Sequence, residues 1–198
     1  AMRLSTFGKP RIIHCAEEFS RHLGLPRGCQ SEVIGLLESH GIQVDLADER
    51  FPGTPLDIRF HGELRPDQEK AAAELLRHDT GVLSAGTAFG KTVVAAWMIA
   101  ARNTNTLVLV HRRQLLDQWR ERLSIFLNLP LKSIGQVGAG RRKPTGKIDI
   151  AVLQSLNRKG VVENVVAEYG QVIVDECHHL SAFSFEQVLR QVKARYVL

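Results

Sequence analysis

Residues 85–92 read Ala85-Gly86-Thr87-Ala88-Phe89-Gly90-Lys91-Thr92, and this octet decides the fold that we expect. An apolar run, 82–84, precedes it, and a helix-forming run, 93–100, follows it. A strand, a loop of small residues and a helix that opens with Lys-Thr are the layout of a phosphate-binding loop. The motif usually begins with glycine where this chain has Ala85, so an ordinary glycine-containing turn stays open as the alternative.

The predicted loop assigns different work to its residues. Small residues let backbone N–H groups surround a phosphate, and the first turn of the helix adds donors and the positive end of its dipole. Lys91 is expected to reach the β- and γ-phosphates, and Thr92 to offer its hydroxyl to Mg²⁺. The residues predicted to contact the nucleotide in this loop are Gly86, Thr87, Ala88, Phe89, Gly90, Lys91 and Thr92.

A second element, at 172–179, reads Val-Ile-Val-Asp-Glu-Cys-His-His. A β-branched run that ends in two acids predicts a buried parallel strand with carboxylates at its C-terminal edge, where open α/β sheets bind ligands. We expect Asp175 to hold Mg²⁺, through water, and Glu176 to orient and deprotonate the attacking water. An acidic pair alone is more often the start of a solvated loop, and Lys91 and Thr92 upstream favour the metal site.

The residues 175–178, Asp-Glu-Cys-His, match a D-E-x-H box, so the chain resembles the DExH-box helicases and translocases of superfamily 2. Further segments match in order over about 62–198, and the first two look most like the xeroderma pigmentosum B type and the motor subunits of restriction systems. These segments are 64–68 (Leu-Arg-Pro-Asp-Gln), 106–119 with its Leu-Leu-Asp-Gln-Trp end, 137–142 and 148–156.

The resemblance implies further site residues. Gln68 corresponds to the glutamine that contacts adenine in such enzymes. His178 corresponds to a residue that couples ATP hydrolysis to the action on nucleic acid. Ala88 departs from the family, because many relatives carry glycine there, which can alter how closely the backbone approaches the phosphate. Residues expected on the nucleic-acid side are Arg112, Arg113, Gly138, Gly140, Arg141, Gln154 and Ser155.

Alternating apolar and helical patterns from residue 62 onward predict an α/β fold, a RecA-like phosphate-loop domain with a mostly parallel sheet. Strands are expected at 82–84, 106–110, 134–137, 148–153, 172–175 and 195–198, and helices at 66–78, 91–102, 112–127, 161–168 and 182–193. Trp97, Trp119 and Phe126 are interpreted first as packing residues.

Residues 1–60 predict a small accessory α/β module before the RecA-like domain of 61–198. Its expected elements are a strand at 11–14, a helix at 31–40 and a strand at 42–46, with a Pro/Gly breaker before 56–60. The scattered residues Cys15, Cys29, His14 and His22 make a zinc site conceivable, although such residues are more often structural or solvated. The module's role is not indicated by its residues.

The resemblance also implies parts that the sequence lacks. The acidic box should lead to motif III and a second RecA-like domain with an arginine finger, so we expect a piece of a longer motor, truncated before motif III. The parent is expected to hydrolyse ATP with Mg²⁺ and to move along nucleic acid, with DNA favoured. The isolated chain is expected to be nearly inactive as an ATPase, because an arginine finger contributes roughly 10³ to 10⁵ in rate.

Composition agrees with this interpretation. The net charge of +5 permits polyanion binding, and the three cysteines have no C-x-x-C spacing, which suits a reduced cytoplasmic setting. No run approaches the roughly 18 apolar residues of a membrane span, and a monomer is the simplest expectation. Two alternatives stay open: a binding module for nucleotide and nucleic acid without catalysis, and a phosphate-loop ATPase without a nucleic-acid role.

Overall fold

The computed structural model of the chain describes residues 16–86, 88–158, 161–177 and 182–198. It divides into two compact units, Ala1–Asp48 and Glu49–Leu198. The predicted module had included residues 49–60, which here belong to the larger unit. The predicted strand at 11–14 lies outside the described residues, as do Cys15, Thr87 and His178.

The described part of the smaller unit contains a short hairpin and one helix. Strand β1 (Glu17–Glu18) pairs antiparallel with β2 (Leu23–Gly24), and helix α1 (Gln30–Ser39) follows. The helix confirms the prediction at 31–40, whereas the hairpin was not predicted. The predicted strand at 42–46 is wrong. Among the described residues no strand pairs with this segment, and Ile42 and Leu46 are exposed.

The larger unit alternates helices and strands. In chain order it contains α2 (Pro66–Leu76), α3 (Lys91–Arg102), β3 (Thr106–Val110), α4 (Arg113–Phe126), β4 (Ile134–Gly138), β5 (Arg141–Lys143), β6 (Ile148–Val152), α5 (Leu153–Leu156), β7 (Asn157–Arg158), β8 (Val161–Val162), β9 (Gln171–Val174), α6 (Ala182–Arg190) and β10 (Tyr196–Val197). Over the part of the chain that is described, none of these helices combines the length and the apolarity that crossing a bilayer requires.

Six strands form one sheet in the order β10-β9-β3-β6-β4-β5. Every neighbouring pair is parallel except β4 and β5, which form an antiparallel edge. Strands β3, β4 and β6 are buried along their whole length. Buried parallel strands covered on both faces are typical of this class of fold, and the prediction of a mostly parallel α/β sheet is confirmed.

The predicted helices 66–78, 91–102, 112–127 and 182–193 correspond to α2, α3, α4 and α6. Helix α2 has Pro66 in its first turn, where the missing N–H costs no hydrogen bond. Helix α3 begins after Gly90 and ends before Asn103, and both flanking residues have the left-handed conformation. Its buried face, which includes Ala95, Ala96 and Ile99, packs with β3 and α4 in the main core.

Two predicted elements of the larger unit are also wrong. Residues 161–168 form not a helix but the strand β8, paired antiparallel with β7, and a 3-10 turn at Asn164–Ala167. The four valines of this segment are spaced as on a helix face, but β-branched side chains favour extended backbone. Residues 82–84 form no strand, because sheet pairing stops at Gly81, whose N–H bonds to the carbonyl of Val197, and Val82 is 78% exposed.

Residues 49–60, the leading segment, pack against the rest of the larger unit. The backbone of Phe51 donates to Lys193 and accepts from Arg195, and the Leu56 N–H donates to Asn103 O. Farther along, Leu56, Ile58 and Phe60 pack against the main core. At Gly53 the chain approaches Gly170 so closely that a Cβ on Gly53 would lie 2.7 Å from the Gly170 Cα. The leading segment is therefore part of the larger unit's packing.

A buried carboxylate organises the amino ends of the strands. Asp149, the second residue of β6, is fully buried and accepts hydrogen bonds from the backbone N–H groups of Thr145 and Gly146, from the Thr145 hydroxyl and from the Tyr169 hydroxyl. Burial, and then the bond to Asp149, raises the pKa of Tyr169 far above its usual range. This network lies at the sheet edge opposite to the phosphate loop and is a structural feature.

Candidate nucleotide site

The octet that decided the fold forms a turn into helix α3. Ala88 has φ +66° and Gly90 has φ +83°, both in the left-handed region. The first hydrogen bonds into the helix are donated by Val93 and Val94 to the Gly90 carbonyl, so the amides of Lys91 and Thr92 precede the helical ladder, as the first donors of every helix do. Left-handed turns followed by free helical donors form a concave backbone that suits an anion. Thr87 lies outside the described residues.

A side-chain brace supports this loop from behind. Gln68 is 2% exposed; its Nε2 donates to the Phe89 carbonyl at 2.7 Å, and its Oε1 accepts from the Arg65 N–H at 2.9 Å. The Arg65 guanidinium donates to the same Phe89 carbonyl at 2.7 Å. The Gln68 amide nitrogen thus holds the loop, while its oxygen caps the first turn of α2. The predicted contact of Gln68 with adenine stays a prediction.

The acidic pair follows β9 at the C-terminal edge of the sheet. The Asp175 N–H continues the ladder by donating to the Leu109 carbonyl at 2.9 Å. Glu176 turns the chain away with φ +51°. Its Oε1 accepts from the Lys91 ammonium at 3.0 Å, and each side chain is about one third exposed (35% and 29%). The lysine of the loop and the second acid, 85 positions apart in sequence, are therefore ion-paired.

Asp175 has a partner that the sequence analysis missed. The indole Nε1 of Trp119, on α4, donates to Asp175 Oδ2 at 2.8 Å. Trp119 is 4% exposed, so its interpretation as a packing residue was correct but incomplete. A buried tryptophan N–H usually finds an acceptor, and that rule was the one available signal; the sequence could not indicate which acceptor.

These groups surround one cleft of about 550 Å³, the phosphate cleft. It contains seven predicted residues from the phosphate loop and the acidic pair, together with five residues of α4 that were not predicted. Its lining residues are Gly86, Ala88, Gly90, Lys91, Thr92, Asp175 and Glu176 from the first group, and Leu115, Gln118, Trp119, Glu121 and Arg122 from α4. Phe89 and Gln68 contribute to the brace behind the loop.

The phosphate cleft contains the chemistry that a Mg²⁺-nucleotide needs. Thr92 and Asp175 supply a hydroxyl and a carboxylate, and Mg²⁺ prefers oxygen ligands of this kind. Lys91 supplies a cation beside the loop amides. The donor set therefore fits the ion and the phosphates.

Three segments expected on the nucleic-acid side meet at the C-terminal ends of β3, β4 and β6. A Cβ placed on Gly138 would lie 2.8 Å from the Ser155 hydroxyl, and one on Gly140 would lie 3.9 Å from an Arg113 guanidinium nitrogen. Gly138, Ala139 and Gly140 all have positive φ. The remaining predicted residues on these segments, all exposed, are Arg112, Arg141 and Gln154. His178, the predicted coupling residue, lies outside the described residues.

Comparison with known families supports the fold and the site. The model of the family described as "Type III restriction enzyme, res subunit" matches residues 61–198. The chain belongs to this family. The match confirms the predicted resemblance to the motor subunits of restriction systems.

Individual relatives agree with this family. The DNA 3'-5' helicase XPB of Kineococcus radiotolerans is 28% identical over 157 residues, which cover 76% of this chain and 26% of that protein. The chain spans less than half the length of the curated relatives it matches.

Solved structures show the same fold at low identity. The UvsW helicase of Bacteriophage T4 superposes with a TM-score of 0.66 at 16% identity, covering 90% of this chain and 71% of that one. The Sulfolobus solfataricus SWI2/SNF2 ATPase core in complex with dsDNA gives a TM-score of 0.56 at 15% identity, over 74% of this chain and 33% of that one.

Proposed function

We propose that the chain binds ATP with Mg²⁺ in the phosphate cleft and serves as the ATP-binding half of a DNA helicase or translocase that hydrolyses ATP. One observation carries the proposal: Lys91, Thr92, Asp175 and Glu176, from two distant parts of the sequence, line a single cleft at the carboxyl edge of the sheet. These residue types match the needs of phosphoryl transfer, which depends on positioning and on charge stabilisation.

The ion pair between Lys91 and Glu176 holds both side chains in the cleft before nucleotide binds. Because both groups are about one third exposed, the pair contributes at most about 1 kcal/mol. Phosphate oxygens carry more charge than one carboxylate, so a bound nucleotide would compete successfully for the Lys91 ammonium. The Glu176 carboxylate would then no longer pair with Lys91 and would orient water and accept its proton, which is the role proposed for it.

Asp175 and Thr92 are the residues proposed to hold Mg²⁺, which would neutralise phosphate charge when bound. The loop amides and Lys91 would orient the phosphates. The same edge of the sheet is proposed to contact nucleic acid through Arg113, the Gly138–Gly140 turn and Ser155. DNA is favoured because four relatives are named as DNA 3'-5' helicases or translocases and one as an RNA helicase, and because one similar structure contains dsDNA.

The test measures binding of a fluorescent ATP analogue to the 198-residue chain, with Mg²⁺ and with EDTA. We expect Mg²⁺-dependent binding that Lys91→Ala weakens at least about tenfold, the equivalent of about 1.4 kcal/mol. Lys132→Ala, which removes an exposed lysine from a different part of the fold, is the matched control and should change affinity less than twofold. Equal affinities for wild type and Lys91→Ala would refute the assignment of the cleft.

The predicted second RecA-like domain, the monomeric state and the cytoplasmic location stay predictions. The alternatives are distinguished by an ATPase assay, with and without DNA, of the chain joined to a second RecA-like domain. A binding module without catalysis would show no turnover in either condition. Turnover that DNA stimulates would support the helicase or translocase. Turnover that DNA leaves unchanged would favour an ATPase without a nucleic-acid role.

A further inference from the structure

The indole of Trp119 is placed between the phosphate cleft and the body of α4. Its N–H donates to Asp175 Oδ2 at 2.8 Å, and its ring is buried against the main core, whose members include Leu116, Leu123 and Ile173. The ring is thus held rigidly by packing while its single polar atom is directed at a proposed metal ligand.

We propose that Trp119 is a positioning residue for Mg²⁺ binding, acting through its hydrogen bond to the Asp175 carboxylate. This inference rests on the proposed function of the cleft. A hydrogen bond to one carboxylate oxygen fixes the rotation of the group and leaves the other oxygen for the ion or its water. Outer partners of this kind orient metal ligands in many proteins, and their loss typically weakens metal affinity 10- to 100-fold.

The chemistry of the donor matters. An indole N–H is neutral and donates once, so it orients Asp175 without neutralising its charge. Lys91 is the contrasting case, because its ammonium pairs with Glu176 at 3.0 Å and must give up that partner to bind phosphate. Trp119 can keep its bond while a cation binds on the other side of the carboxylate.

Helix α4 carries both Trp119 and a residue proposed to contact nucleic acid. Arg113 begins the same helix, about 9 Å along the axis at 1.5 Å per residue. A rigid helix that carries a proposed phosphate contact at its first turn and a bond to a metal ligand at its second connects the two sites physically. A change in the placement of α4 on binding DNA would therefore reach Asp175 through Trp119.

The experiment measures the Mg²⁺ concentration that half-saturates binding of an ATP analogue to the 198-residue chain. Trp119→Phe keeps an aromatic ring and removes the N–H. We expect it to raise the half-saturating Mg²⁺ concentration about tenfold while leaving nucleotide affinity in EDTA within twofold. Trp97→Phe makes the same change on α3, where Trp97 packs beside Ala72, Val94 and Met98, and should leave the Mg²⁺ dependence unchanged.

A double-mutant cycle tests whether Trp119 acts through Asp175. In an Asp175→Ala background, Trp119→Phe should have no further effect on Mg²⁺ dependence, because the bond no longer exists. An undiminished effect in that background, or equal Mg²⁺ dependence in wild type and Trp119→Phe, would overturn the proposal. A wild-type chain that binds no Mg²⁺-nucleotide would instead refute the proposed function, and this inference with it.

Fluorescence keeps the proposal testable if Trp119→Phe does not fold. The chain has two tryptophans, so Trp97→Phe leaves Trp119 as the sole emitter. Adding Mg²⁺ to the nucleotide-bound Trp97→Phe chain should shift or quench its emission, because the indole N–H donates to the group that binds the ion. Emission that is identical with and without Mg²⁺ would contradict the assignment.

Discussion

Replacing Gly90 by alanine should destabilise the larger unit more than any other single methyl added to the phosphate loop. Two costs follow from the structure. The first is backbone: Gly90 has φ +83°, and an L-residue in the left-handed region costs about 1–2 kcal/mol. The second is steric, because the new Cβ would lie 2.6 Å from Gln68 Nε2, closer than real Cβ contacts allow.

The steric cost depends on what Gln68 loses. Its Nε2 donates to the Phe89 carbonyl at 2.7 Å and is buried, so moving it leaves a buried donor without its acceptor, at about 1–3 kcal/mol. The two costs together lower the free energy of unfolding by roughly 2–5 kcal/mol. The brace behind the loop would open, and nucleotide affinity should fall with stability.

Urea denaturation of the 198-residue chain measures this change, and Gly86→Ala is the matched control. A Cβ on Gly86 meets nothing within 4 Å, so that variant should change the free energy of unfolding by less than about 1 kcal/mol. In a Gln68→Ala background the collision is absent and the bond to Phe89 is already lost, so adding Gly90→Ala to Gln68→Ala should cost only the backbone part, about 1–2 kcal/mol. If Gly90→Ala and Gly86→Ala were equally stable, the reasoning would be refuted.

Three further outcomes are expected. Glu176→Gln keeps size and hydrogen bonding but lacks the base, so Mg²⁺-nucleotide should still bind while hydrolysis by the active protein stops; calorimetry showing lost binding would contradict this role. Tyr169→Phe removes a buried bond to Asp149 and should cost about 1–3 kcal/mol in urea. Burial raises the pKa of Tyr169 above its ordinary 10.0, so above that pH the unfolded tyrosine ionises while the folded one does not. The free energy of unfolding of the wild type should therefore fall as pH rises above 10.0, and Tyr169→Phe should lack this part of the pH dependence. Arg113→Ala should weaken DNA binding and reduce the slope of its salt dependence by about 1, whereas Arg77→Ala, at the exposed residue that follows α2, should change neither.

The sequence predicted the parts of the fold that are locally determined. Helix α3 was predicted with its observed bounds, because the Gly90 turn and the helix-forming run agree. Strands β3, β6 and β9 were predicted because each is a short run rich in β-branched residues, and such runs favour extended backbone. The prediction of a helix at 161–168 failed because valines spaced as on a helix face also suit a hairpin. Only the pairing with β7 decides between helix and hairpin.

The candidate site divides in the same way. The ion pair of Lys91 with Glu176 joins two segments whose motifs were each recognisable, so their meeting could be expected. The bond from Trp119 to Asp175 could not be expected, because it depends on the rotation of α4 against β9. The brace of Gln68 on Phe89 is a similar case: a residue predicted to contact adenine is occupied by the loop that it supports.

The leading segment has a practical consequence for anyone dividing this protein into pieces. The family match begins at residue 61, but the packed unit begins at Glu49. Cutting at the family boundary would remove Leu56, Ile58 and Phe60 from the main core and would leave that hydrophobic surface open to water. The region matched by the family and the region that packs as one unit therefore begin at different residues. Expression trials should begin at Glu49.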